Sequence, residues 1–164
     1  MPRRRRSYEA GHQPKLLVVI DDTEECDRAV YYASRRAARI GANVTMLRVI
    51  ETQDASQQWL GVADIMRAEA HEEADAELSR YATRANGIAG ITAERVVREG
   101  DTAGEILRLI EDDEDIAILV LAAGTGKDGP GPLVVSFGAN AGDYPIPVAI
   151  VPGHLSDEEL DAMT

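Results

Sequence analysis

The sequence predicts a doubly wound α/β domain, a five-stranded parallel sheet of order 3-2-1-4-5 with helices on both faces. Three observations predict it. Lys15 to Ile20 and Ile116 to Ala122 are almost unbroken apolar, β-branched-rich runs, as strands covered on both faces must be. Segments with apolar residues every three or four positions alternate with the strands, so the chain reads β-α-β-α-β-α-β-α-β and demands right-handed parallel crossovers. Aromatic residues make up only 4 % of the 164 positions against 45 % hydrophobic overall, which leaves Val, Ile, Leu and Ala to build the core. That length is one domain's, with no internal repeat of about 20–50 residues.

Each element follows from its own residues. The first strand stops at Asp21-Asp22, where Asp22 with Glu25 three residues on has the spacing of a helix N-cap. Cys26, Ala29, Val30, Ala33, Ala37 and Ile40 then form one apolar stripe, with Arg28, Arg35, Arg36 and Arg39 off it, and Gly41 closes the helix. Val44 to Ile50 is the second strand. A long helix over about residues 57–85 carries Trp59, Ala63, Met66, Ala70, Ala74, Leu78 and Tyr81 on its stripe. Glu69, Glu72, Glu73, Asp75 and Glu77 form its acidic side. Thr92 to Arg98 is more polar and suits an edge strand. Thr102 and Glu105 have capping-box spacing before a helix that turns Ile106, Leu109 and Ile110 inward. After the fourth strand comes a glycine-rich stretch, then a helix from Pro132 to Ala141 with proline at its first position. Pro147 to Val151 is the last strand, and Ser156 with Glu159 caps a closing helical turn.

Charge divides the chain. Residues 1–15 carry a local +4, so the rest of a chain of net charge −12 stands at −16. A body that acidic repels nucleic acid and anionic membrane, and neither is expected as a partner. Residues 1–14, with Arg3 to Arg6, read as a disordered basic arm, residues 15–153 as the domain, and residues 154–164 as an acidic tail. No secretory signal precedes the domain, no apolar run is long enough to span a membrane, and the single cysteine, Cys26, fits a reducing compartment. The expected location is cytoplasmic.

In such a sheet ligands bind outside the carboxyl ends of the strands, where the strand order reverses between strands one and four. Asp21 ends strand one, and Gly124, Gly126, Gly129 and Gly131 follow strand four, across the crevice. Glycine lets backbone N–H groups approach a phosphate, and the helix at Pro132 offers its positive end. Lys127 adds a point charge, though a loop lysine is usually just solvated. The bland readings stand beside these: Asp22 as a helix cap, Gly131 as a turn before proline, and Cys26 as core. His12, His71 and His154 are scattered without metal-ligand spacing.

Val19-Ile20-Asp21-Asp22-Thr23, then Leu47-Arg48-Val49-Ile50-Glu51, and the stretch from Gly100-Asp101-Thr102-Ala103 through Ile116 to Leu121 together resemble the universal stress proteins over residues 15–153. The resemblance implies a stress-response protein that binds ATP or another adenine nucleotide. It places the residue matching Asp21 at the adenosine end, Val49 on adenine, and Ala123 and Gly124 beside the nucleotide, with the glycine loop on the phosphates. It also implies a homodimer through the last strand, Val148, Ala149, Ile150 and Val151, and an exposed apolar edge suits such pairing. The ATP-binding branch carries Gly-x2-Gly-x9-Gly and then Ser or Thr. Here Gly126 and Gly129 have the first spacing but Ala139 stands ten residues on, and counting from Gly124 finds Lys127 and Phe137. The motif is broken in every register.

The expected function is therefore a nucleotide-responsive binding protein and not an enzyme, with no metal beyond magnesium carried by the nucleotide. The alternative is a nucleotide-independent dimeric interaction module, its acidic second helix meeting a protein partner. A slow ATPase would need a general base near the terminal phosphate, and no residue presents itself.

Overall fold

A computed structural model describes residues 4–51 and 60–164. Among them β1 (Lys15–Val19), β2 (Asn43–Glu51), β3 (Glu94–Gly100), β4 (Ile116–Ala123) and β5 (Val148–Pro152) form one parallel sheet in the order β3-β2-β1-β4-β5. The expected order is the observed one. Helices α1 (Cys26–Ile40), α2 (Leu60–Ala89) and α5 (Asp157–Met163) cover one face, and α3 (Thr102–Asp112) and α4 (Pro132–Asn140) the other.

The sheet divides its side chains by the two-residue period of a strand. Leu16, Val18 and Ile20 point with Val44 and Met46 into the α1–α2 core, whereas Leu17 and Val19 point with Leu47 and Val49 into the α3–α4 core. β1 is thus buried on both faces, which explains why its run is unbroken.

Four expectations are corrected. Helix α1 begins at Cys26 rather than just past Asp22, because Asp21 Oδ1 accepts the Thr23 N–H and hydroxyl and folds a turn first. The cap of α3 is Asp101, whose carboxylate accepts the Gly104 N–H at 2.9 Å, while the Thr102 hydroxyl donates to Glu51 at 2.7 Å. The basic arm is ordered over its described part. Arg5 Nη1 donates to the carbonyls of Ile110 and Asp113 at 2.7 and 3.0 Å, and Ser7 is buried. The last carbonyls of α3 lack helical partners, and a guanidinium supplies donors for them. Finally, Met66 does not join the buried stripe of α2, which runs through Ala74, Leu78, Tyr81 and Ala85. The 30 residues of α2 span about 45 Å, roughly twice the reach of the 7-residue β3 beneath it. Its first half therefore overhangs the sheet and leaves Val62, Ile65 and Met66 exposed. Arg3 and Trp59 lie outside the described residues.

Two expected caps are present. Gly41 ends α1 in the left-handed region at φ 70°, and Ser156 and Glu159 close a reciprocal capping box at α5.

Candidate functional site

The carboxyl ends of β1, β2 and β4 open into one cavity of about 590 Å³, within the range of roughly 300–1,000 Å³ usual for small-molecule sites. It lies where β1 and β4 send their chains to opposite faces of the sheet. Val19, Ile20, Val49, Ile50 and Leu121 supply an apolar wall from the strands, and Leu133 and Val134 a second from α4. The first turn of α4 opens with Pro132 after the Gly131 cap, so the positive end of that helix faces the same space.

Of the residues proposed from sequence, Asp21, Val49 and Gly131 line this cavity together. Asp21 commits Oδ1 to the Thr23 turn, which fixes the carboxylate in place and leaves Oδ2 unengaged by that turn. Ala123, Gly124, Gly126 and Gly129 do not line it. The Ala123 carbonyl instead accepts the Gly153 N–H at 2.8 Å. The glycine loop closes on itself. Gly124 N–H donates to the Pro130 carbonyl, and Gly129 N–H to the Gly126 carbonyl, each at 3.1 Å. Lys127 is exposed and also outside the wall.

Other residues of the wall escape a motif-based reading. Asp22, Glu25, Glu51, Glu73 and Asp101 bring five carboxylates besides Asp21, and Arg48 is the one cation among the described wall residues. Arg48 Nε sits 3.1 Å from Glu77 Oε2, so its charge is already answered. Glu51 and Asp101 stand at the ends of β2 and β3, yet the arrival of Glu25 from the turn before α1 and of Glu73 from α2 depends on packing that spacing does not encode. Cys26 also borders the cavity, but burial pushes its thiol up to about 12, so it stays protonated and offers no thiolate. Burial, with Cys26 beside it, likewise pushes the Tyr81 hydroxyl up to about 12. Among the described residues no cluster of three metal-ligating side chains forms, and no helix is long and apolar enough to cross a membrane.

The cavity thus joins apolar strand walls to a carboxylate held in place by the Thr23 turn.

Comparison with known proteins gives the same architecture. The sequence pattern of the Universal stress protein family matches residues 14–152. No curated protein matches the chain in sequence. The solved structure of universal stress protein UspA from Lactobacillus plantarum is 23 % identical, covering 84 % of this chain and 97 % of its own, with a TM-score of 0.68. The universal stress protein from Archaeoglobus fulgidus in complex with dAMP is 18 % identical over 84 % of this chain and 96 % of its own, with a TM-score of 0.55. A universal stress protein family member from Arabidopsis thaliana with AMP bound is 18 % identical over 88 % of this chain and 94 % of its own, with a TM-score of 0.60.

Proposed function

The chain belongs to the universal stress protein family, and on that premise we propose that it is a stress-response binding protein whose state follows an adenine nucleotide held in the switch-point cavity. The observation that carries this reading is the convergence of Asp21, Val49 and Gly131 on one cavity of about 590 Å³. Similar folds from Archaeoglobus fulgidus and Arabidopsis thaliana were solved with dAMP and AMP, which supports the choice of an adenine ligand. Binding rather than turnover is the proposed role, and the cytoplasm the proposed location.

The test is direct. Purified protein is denatured, the released solution is assayed for adenine compounds, and AMP is titrated calorimetrically into wild type and Asp21→Asn. Asparagine keeps the oxygen that accepts from Thr23 but loses the charge, so the turn survives while the ligand contact weakens. A loss of roughly tenfold or more in AMP affinity is expected for a charged hydrogen bond. Equal affinity in both proteins would remove Asp21 from the site, and no heat in either would remove the ligand.

A second reading concerns assembly. β5 is a sheet edge, and its Ile150 is 39 % exposed, an apolar side chain on a strand with free backbone groups along one side. We propose a homodimer through Val148 to Val151. This surface would operate with or without nucleotide.

A further inference from the structure

We propose that the cavity accepts a nucleoside or nucleoside monophosphate and turns polyphosphates away, with Glu25 the residue that sets the discrimination. The inference rests on the adenine-nucleotide reading above and names the ligand class within it.

Three observations converge on Glu25. First, it belongs at once to the cavity wall and to the surroundings of the glycine loop. Its Oε1 lies 2.9 Å from where a Cβ on Gly124 would stand, and its own Cβ lies 2.9 Å from the corresponding point on Gly153. The side chain is wedged between the ends of β4 and β5, on the way from the nucleoside slot to the loop. Second, the loop beyond it has no amides to give at Gly124 and Gly129, since both are bonded within the loop. A second and third phosphate would leave water for a carboxylate and for amides already engaged. Third, the potential of the whole wall is negative. Six carboxylates face Arg48, itself paired with Glu77. Neutral donors hold Asp21, Glu51 and Asp101, so their hydrogen bonds leave their charges uncancelled.

One anionic group still has a place. The amino end of α4 borders the cavity at Leu133 and Val134 and carries partial positive charge, enough to favour a single phosphate but not a chain of three. The amino end of α1 offers no equivalent, because Glu25 and Asp27 place two carboxylates beside it.

Adenosine, AMP and ATP, titrated calorimetrically without magnesium at fixed ionic strength, separate the possibilities. ATP is expected to bind at least about tenfold more weakly than AMP, the cost of setting added phosphate charge near an unpaired carboxylate. Glu25→Gln keeps the wedge and removes the charge, so it should tighten ATP about tenfold and leave adenosine unchanged. Glu25→Ala repeats the comparison without the wedge, and thermal melts confirm that both variants are folded. ATP binding as tightly as AMP to wild type overturns the proposal but leaves the adenine reading standing. An AMP-to-ATP ratio unmoved in both variants overturns the role of Glu25. Silence with all three ligands overturns the adenine reading and this inference with it.

Discussion

Gly153 is a glycine because two neighbours have taken the space of its side chain. A Cβ there would lie 2.8 Å from the Ala123 carbonyl oxygen and 2.9 Å from Glu25 Cβ. The carbonyl cannot retreat, since it belongs to β4 and accepts the Gly153 N–H itself. Gly153→Ala is therefore expected to cost about 1–3 kcal/mol, the usual cost of overpacking. Gly126 makes the contrast: nothing lies within 4 Å of its Cβ position, so Gly126→Ala should stay within about 0.5 kcal/mol of wild type. Urea unfolding of the two variants reads the difference, and equal midpoints would mean that the junction of β4 and β5 relaxes freely. The count of glycines after β4 is legible in the sequence, but Gly153, as tight as Gly124 within that cluster, lies outside it. Only the return of the chain past Ala123 reveals it.

At the scale of elements, Asp27 ties three helices together. Its carboxylate accepts from Arg84 of α2 at 3.0 Å and from Arg28 beside it at 2.6 Å, and Arg28 reaches on to Asp157 of α5 at 2.8 Å. Burial pushes the Asp27 carboxyl up, and the hydrogen bonds from Arg84 and Arg28 outweigh it, so the net direction is below the usual carboxylate value of 3.8. A carboxyl lowered by folding stabilises the fold above that usual value and loses its contribution as pH falls through the lower, folded one. The partners are partly exposed, so the contribution is about 1 kcal/mol at most after screening. Asp27→Asn should thus unfold earlier than wild type in denaturant at neutral pH and match it at about pH 2. A gap that persists in acid would assign the seam to packing instead. The sequence shows Arg28 as a charge off the apolar stripe of α1, but not this convergence. Similar reasons govern the caps. Capping spacing names Thr102, but the cap is Asp101, and the Thr102 hydroxyl goes instead to Glu51, far along the chain. Periodicity finds the stripe of α2 but cannot know that the sheet ends before Met66.

At the scale of the whole molecule, topology is the most legible level, because burial on both faces writes itself into β1 as an unbroken apolar run. From strand order the crevice follows, and with it Asp21, whereas Val49 is named only by the resemblance. The interior of the glycine loop does not follow, since its hydrogen bonds depend on where Pro130 turns back. The proposed dimer is also a whole-molecule matter, because each chain carries a net charge of −12. Two such bodies repel, and an apolar strand edge must overcome that repulsion. Added salt screens the charge but scarcely weakens backbone pairing or apolar contact, so association through β5 should tighten as ionic strength rises. Ile150→Lys places a charge at the exposed centre of that edge and should give a monomer at every salt concentration. Sedimentation equilibrium at low and high salt measures both effects. Dimers that dissolve as salt rises would place the interface on charged helix faces, and an Ile150→Lys protein that still pairs would rule out the β5 edge.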